Sequence, residues 1–186
     1  MLIKICGVQD PEIAAFSAQA GAHFIGMILT SGYRRSVSLP QAKEIAKASR
    51  DHGAIPVALF VAANAVQIEE SCDKAGIDCV QAYRLSMTLP QRFKRFYVNV
   101  PDVILRPGCD FLLMEGEIPG SGKKVDISPP SVKPWFIAGG LTFENVKETI
   151  LNTRPDGVDV SSGVEKNGMK DRNRILQFIK EVKSCE

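Results

Sequence analysis

The sequence is poor in several things that would have fixed a class early. Histidine occurs twice and tryptophan once in 186 residues. No apolar run approaches the ~20 residues of a bilayer span, and no basic stretch leads into a longer apolar one at the amino terminus, so neither a membrane partner nor a secretory leader is expected. The five cysteines, Cys6, Cys72, Cys79, Cys109 and Cys185, form an odd set with no CxxC and no histidine at metal-ligand spacing. That argues against a disulfide framework and a zinc centre, and makes a reducing cytoplasm the expected location. No sign of charge dominates: 23 Lys and Arg face 21 Asp and Glu, for a formal charge of +2, and the basic residues are scattered. Nucleic acid and membrane surfaces select a clustered basic face, so neither is an expected partner. With no internal repeat and no linker, residues 1–186 read as one domain.

What is present is an alternation of short apolar runs with helical periodicity. Leu2 to Cys6 reads as a strand. Asp10 and Pro11 open a helix that Gly21 stops after Ala20. Ala22 to Leu29, Ala54 to Val61 and Ile77 to Gln81 read as strands. Between them lie a helix from Pro40 to Arg50 and one capped by Asn64 that reaches Ala75 before Gly76. The rhythm then weakens: Leu89 to Arg95 allows a short helix, Phe96 to Val100 a fifth strand, and Phe111 to Met114 a sixth. Residues 115–134 carry four prolines and no convincing helix. Order returns with the strand Trp135 to Ala138, a helix Phe143 to Leu151 capped by Thr142, the strand Gly157 to Val160, and a helix Arg172 to Lys183 capped by Asp171. Eight strands in this rhythm predict an α/β protein of parallel strands with right-handed crossovers. A closed (β/α)8 TIM barrel with shortened crossovers around strands four to six fits the count, and a decorated flavodoxin-like sheet shares much of the pattern.

In a barrel strand alternate residues point inward and the chemistry gathers at the carboxyl ends. In Leu2-Ile3-Lys4-Ile5-Cys6 the isoleucines suit the helix-facing side, leaving Lys4 and Cys6 inward. The ammonium is expected to lower the thiol pKa toward the range of a base or nucleophile, although Cys6 as an inert buried thiol fits the same strand. Asp159 alternates with Val158 and Val160 and so points inward at the eighth strand, where Lys4 on the first is its natural partner in an ion pair. Gly139 and Gly140, and Ser161, Ser162 and Gly163, follow the seventh and eighth strands. Exposed amides at helix starts there would bind a phosphate; a tight turn and a Ser162–Glu165 capping box are the plainer readings. Arg35, beside Arg34, lies in the loop after the second strand, where a guanidinium could reach a substrate carboxylate or phosphate, although a solvated loop arginine is the plainer reading. Gly120-Ser121-Gly122-Lys123-Lys124 lacks the Ser or Thr of a P-loop and reads better as a lid. His23 and His52 fall away from the expected catalytic end.

Taken together, Lys4-Ile5-Cys6-Gly7, Arg35-Ser36-Val37, Val80-Gln81, the loop from Gly120 to Asp126, Ile137-Ala138-Gly139-Gly140-Leu141 with Glu144-Asn145-Val146, and Gly157 to Glu165 followed by Gly168 and Lys170-Asp171 resemble phosphoribosylanthranilate isomerase. The resemblance runs from the first strand to the last helix. It implies a TIM barrel that converts N-(5'-phosphoribosyl)anthranilate to 1-(2-carboxyphenylamino)-1-deoxyribulose 5-phosphate in tryptophan biosynthesis, with no cofactor and no metal. Cys6 matches the family's general base and Arg35 its anthranilate-side arginine. Gly139, Gly140, Ser161, Ser162 and Gly163 match its phosphate loops, Asp159 a substrate-contacting carboxylate, and Lys4 and Gln81 other substrate contacts.

Two departures stand out. The family's general acid is an aspartate at the end of the sixth strand, where this chain reads Leu112-Leu113-Met114-Glu115. Numbering from the strand puts Met114 at that site and numbering back from Gly120 puts Glu115 there. Glu115 then serves as acid only if the strand ends or bulges at Met114, and Glu117 and Asp126 are reserves. The fourth strand reads Ala82-Tyr83-Arg84 in place of a Leu-His-Gly run. Two other functions compete: a related phosphoribosyl aldose-ketose isomerase of the histidine-pathway kind, and an impaired barrel that binds a phosphosugar as sensor or scaffold. The expected partner is a small phosphoribosyl molecule, and the expected state a monomer or homodimer that self-associates through apolar strand faces near the fifth and sixth strands. A TIM barrel usually takes ~250 residues, so the shortage is placed between Tyr83 and Pro134.

Overall fold

The computed structural model describes residues 1–83, 89–100, 102–115 and 128–186. Eight parallel strands close on themselves in sequence order: β1 (Leu2–Ile5), β2 (Phe24–Ile28), β3 (Ile55–Val61), β4 (Cys79–Tyr83), β5 (Lys94–Val98), β6 (Asp110–Met114), β7 (Trp135–Ala138) and β8 (Gly157–Val160). Closure is made by β1 on β8, with Lys4 opposite Asp159. The helices are α1 (Pro11–Ala20), α2 (Leu39–Asp51), α3 (Ala65–Ala75), α4 (Val146–Thr153) and α5 (Arg172–Lys183).

Local chemistry sets most of these bounds. Asp10 accepts from the Glu12 amide with Pro11 next, and Gly21 ends α1 in the left-handed region at φ 118°. Ser38 with Gln41, and Asn64 with Gln67, form reciprocal capping boxes that start α2 and α3. Asp171 caps α5 through the Arg174 amide. Outward residues such as Ile3, Ile5, Ile25 and Met27 join the helices in one core, while the inward faces form a second. That inner core is a plug of Phe24, Phe96, Phe111 and Phe136, with Phe96 and Phe111 stacked at 4.8 Å and the others edge to face. Each ring pair adds about 0.5–1.5 kcal/mol beyond the burial of its surface.

Among the described residues no helix follows β4, β5 or β6. The short helix expected over Leu89 to Arg95 is absent: residues 89–93 run as a turn and Lys94 already pairs with Cys79. Both neighbouring strands are therefore displaced, β4 running on to Tyr83 and β5 ending at Val98. Arginines take over there. Arg95 donates to the Leu89 and Pro90 carbonyls and to Tyr97, and Arg106 donates to the Gln91 and Phe93 carbonyls while holding Asp110 through Nη2 at 2.7 Å and Nε at 2.8 Å.

The helix after β7 also begins later than expected, at Val146. Asn145 ties off the preceding loop, accepting from the Thr142 amide at 2.8 Å and donating to the Gly140 carbonyl at 2.9 Å. Gly139 and Gly140 therefore enter a turn before the helix. After β8 come a single 3₁₀ turn (Ser162–Val164) and a small hairpin, β9 (Glu165–Lys166) with β10 (Met169–Lys170).

Candidate active site

Strand alternation brings Lys4, Cys6 and Asp159 to the carboxyl end of the barrel. Lys4 is fully buried and its Nζ donates to Asp159 Oδ2 at 3.0 Å. It also lies 5.5 Å from the centre of the Phe96 ring, on top of the phenylalanine plug. Burial alone pulls the Lys4 pKa down, but the Asp159 carboxylate, and then Cys6, outweigh it and the ammonium is held above its ordinary range. Cys6 departs from expectation. Burial is the larger influence and pushes the thiol pKa up, against the opposing pull of Lys4.

Room for this pair comes from β2. A Cβ added at Gly26 would stand 2.9 Å from Cys6 Sγ and 3.3 Å from both Cys6 Cα and Lys4 Nζ. A glycine inside a strand signals such a close approach, and it was available in the sequence.

The mouth opens into a cavity of about 370 Å³. Cys6, Asp159, Gln81, Tyr83 and Glu115 supply its polar groups, and Ile28, Leu59 and Val61 an apolar wall. Arg35, Gly139, Gly140, Ser161 and Ser162 close it from the loops. Lys4 stays beneath the cavity rather than lining it. Gly163 is also outside: a Cβ there would sit 1.8 Å from the Leu141 carbonyl oxygen, so its part is to let the loops after β7 and β8 pack.

The register decides which of Met114 and Glu115 faces the cavity. Phe111 and Leu113 belong to the inner core, while Leu112 and Met114 pack with the outer one. Glu115 therefore follows the inward parity, and no bulge is needed; β6 ends at Met114 and the next residue enters the cavity. The Glu115 amide donates to Asn99 Oδ1 at 2.8 Å, and its carboxylate accepts from the Tyr83 hydroxyl, which itself accepts from Gln81 Nε2 at 3.0 Å. Burial is the largest cause that raises the Tyr83 pKa, so the phenol remains a donor. Among the described residues, Gln81 Oε1 and Asp159 Oδ1 are buried acceptors with no partner.

Arg35 reaches the cavity with its Nε on Glu165 Oε1 at 2.6 Å and Nη2 on Oε2 at 3.2 Å. Glu165 is thus engaged by arginine and takes no part in a capping box; the 3₁₀ turn has no side-chain cap. Lys170 Nζ bridges Glu165 and Ser161, while the Ser161 hydroxyl donates to the Cys6 carbonyl at 3.0 Å. Ser161 therefore offers its backbone, with its hydroxyl proton already committed.

Gly26, Lys170 and the apolar wall have no role in the sequence reading, and Tyr83 stands there only as part of the departure in the fourth strand. Lys170 lay in a quoted motif, but only the folded hairpin shows its contacts. His23 accepts from the Ile3 amide and His52 contacts the Ala48 carbonyl, both away from the mouth. The 120–124 lid, Arg84, Glu117 and Asp126 lie outside the described residues.

Comparison with known proteins supplies the family. The model of the N-(5'-phosphoribosyl)anthranilate (PRA) isomerase family matches residues 3–181. The N-(5'-phosphoribosyl)anthranilate isomerase of Streptococcus pneumoniae strain Taiwan19F-14 is 35% identical over 196 residues, covering 97% of this chain and 95% of its own. The chloroplastic isomerase 1 of Arabidopsis thaliana is 34% identical, covering 98% and 75%. The Thermotoga maritima phosphoribosyl anthranilate isomerase superposes with a TM-score of 0.83 at 24% identity over 99% of both chains. An isomerase solved in complex with reduced 1-(o-carboxyphenylamino)-1-deoxyribulose 5-phosphate gives 0.78 at 23% identity, again over 99% of both. At these identities the structural likeness speaks for the barrel alone.

Proposed function

The chain belongs to the N-(5'-phosphoribosyl)anthranilate isomerase family, and on that premise we propose that its cavity isomerises phosphoribosylanthranilate in tryptophan biosynthesis with Cys6 as general base and Glu115 as general acid. The observation that carries this reading is that the thiol and the carboxylate, from strands far apart in sequence, line one cavity together with both glycine loops and Arg35.

The chemistry is an Amadori rearrangement. Protonated Glu115 gives its proton to the furanose ring oxygen, the C1'–O bond breaks, and the anilino nitrogen lone pair closes a Schiff base. The Cys6 thiolate then removes the C2' proton, and those electrons neutralise the iminium to leave an enolamine. The ketone forms as C1' gains a proton and the enol hydroxyl loses one, so no atom is gained or lost overall. A thiol held up by burial is a strong base once ionised, and the neighbouring Lys4 ammonium is the group that stabilises the thiolate. Lys4 thus acts from below, through Cys6 and Asp159.

Binding follows from what faces the cavity. Arg35 meets the anthranilate carboxylate and the ring rests on Ile28, Leu59 and Val61. Backbone amides around Gly139, Gly140, Ser161 and Ser162 meet the phosphate, with Gly163 supporting them. The two unpartnered acceptors, Gln81 Oε1 and Asp159 Oδ1, accept hydrogen bonds from sugar hydroxyls, since an acceptor left unpaired in a buried place costs about 1–3 kcal/mol.

All five cysteines are free thiols, and a reducing compartment, the cytoplasm, keeps Cys6 in working form. Among the described residues no helix is long and apolar enough to cross a membrane. Val100 and Ile104, the latter 92% exposed, support a homodimer through the side where the described residues form no helix; a monomer by light scattering at high concentration removes that part.

The test mixes protein with freshly made phosphoribosylanthranilate and follows the loss of its anthranilate-type fluorescence. Turnover by the wild type, reduced ~10² to 10⁴-fold by Cys6→Ala, is the expected result. Tight phosphate binding without turnover would instead establish a phosphosugar sensor, and turnover of a histidine-pathway aminated phosphoribosyl substrate the neighbouring isomerase.

A further inference from the structure

Behind the cavity lies an ionic cluster of which the proposed chemistry uses only Arg35. Glu165 Oε1 accepts from Arg35 Nε at 2.6 Å and Lys170 Nζ at 3.0 Å, while Oε2 accepts from Arg34 Nη2 at 2.6 Å and Arg35 Nη2 at 3.2 Å. The Lys170 and Glu165 side chains are only 5% and 7% exposed, and neither lines the cavity. Three cations share one carboxylate, which leaves a formal excess of positive charge beside a pocket read as taking a substrate with two anionic ends.

An ammonium has three protons. Lys170 directs them to Glu165 Oε1, to the Ser161 carbonyl at 2.9 Å and to Ser161 Oγ at 3.3 Å. With none left for a ligand, its role is to hold protein groups. Those groups belong to different elements: Ser161 follows β8 and is bonded to the Cys6 carbonyl after β1, while Arg35 lies in the loop between β2 and α2. Arg35 uses Nε and Nη2 on Glu165, and its Nη1 is outside that pair.

We propose that Glu165 and Lys170 are positioning residues that set the spacing between the carboxylate-gripping Arg35 and the phosphate-facing end of β8, so that the two anionic ends of one substrate are bound as a unit. This rests on the isomerase reading of the cavity. Its particular content is that the two ends are coupled through Glu165 Oε1, which both Arg35 and Lys170 share. Removing either partner loosens one grip directly and the other through the shared oxygen.

The experiment compares wild type, Lys170→Met, Glu165→Gln and the double variant. It measures KM and kcat for phosphoribosylanthranilate, and inhibition constants for inorganic phosphate and for anthranilate as separate probes, with thermal melting as the check on folding. Lys170→Met is expected to weaken inorganic phosphate, and Glu165→Gln anthranilate, each by about tenfold or more, the range of a lost hydrogen bond to a charged group. KM rises in both while kcat changes by less than about threefold, the pattern of lost uniform binding. The double variant falls short of the product of the two single effects, as coupled neighbours do. Should Lys170→Met fail to fold, Glu165→Gln alone carries the KM-against-kcat comparison. Unchanged inhibition constants with a reduced kcat, or only a lower melting temperature, overturn the proposal. A wild type that turns nothing over refutes the isomerase reading instead; calorimetric titration of inorganic phosphate into wild type and Lys170→Met then still decides whether Lys170 presets that grip.

Discussion

The barrel wall is built in two ways. From β7 through β8 and β1 to β3, each strand is followed by a helix whose apolar stripe covers it. From β4 to β6 the described covering is loop, fastened by the guanidinium groups of Arg95 and Arg106 on backbone carbonyls. A helix of three turns spends about a dozen residues to satisfy its own backbone and present one face. An arginine reaching several carbonyls pins a loop with one side chain, which is how 186 residues close a fold that usually takes more. The two sides also divide the site. The proposed base, the Lys4–Asp159 pair and the proposed phosphate loops stand on the helix-covered side, and the proposed acid with Tyr83 on the loop-covered side.

The sharpest test of that division is chemical. Cys6→Ala and Glu115→Gln are each expected to reduce kcat by ~10² to 10⁴-fold, the usual worth of a general base or acid, in the fluorescence assay. An unchanged rate in Glu115→Gln would remove the loop-covered side from the chemistry. Gly26→Ala comes next. The added methyl must displace Cys6 or Lys4, and a misplacement of this kind costs up to about 10²-fold in kcat, with melting temperature reporting any accompanying loss of stability.

The structural half of the comparison is tested by denaturant unfolding. Arg106→Met leaves the Asp110 carboxylate, only 1% exposed, without its ion partner. A loss of about 2–4 kcal/mol is expected, somewhat below that of breaking a fully buried pair because Arg106 itself is partly exposed. Ile179→Ala in α5 is expected to cost about 2–5 kcal/mol by opening a cavity. Comparable values mean that one arginine does for the loop-covered wall what a buried aliphatic does for the other. A negligible change in Arg106→Met would show that the apolar contacts of Leu89 and Phe93 suffice.

The smallest effect is acid sensitivity. Burial opposes ionisation of Glu165, but Arg35, Lys170 and Arg34 outweigh it and bring the pKa from the ordinary 4.5 to about 2. A carboxylate depressed on folding contributes stability that is whole above the unfolded value and lost as pH falls through the folded one. Wild type should therefore lose stability between about pH 4.5 and 2 more steeply than Glu165→Gln, as read by urea midpoints across that range.

What could be read from the sequence divides along the same line. On the helix-covered side Asp10, Asn64, Asp171, Gly21 and Gly76 announce helix ends locally, and alternation in Leu2 to Cys6 and Gly157 to Val160 is enough to turn Lys4 and Asp159 inward. On the loop-covered side the local pattern misleads. In β5 the polar Arg95 and Tyr97 alternate with Phe96 and Val98, and their bonds run to loop carbonyls and to each other rather than to a helix. The limits of β4 and β5 depend on pairing Cys79 with Lys94, a long-range choice that no single window contains. The Cys6 pKa runs against the sequence expectation for a related reason: the neighbouring lysine is visible in the sequence, whereas the depth of burial is a property of the closed barrel.

The four-phenylalanine plug carries a consequence for traffic. With Phe24, Phe96, Phe111 and Phe136 filling the barrel below Lys4, the molecule is a cup and not a tube. Whatever enters at the carboxyl end leaves by the same opening, and a departing product stands in the path of the next substrate. Product inhibition should accordingly be purely competitive.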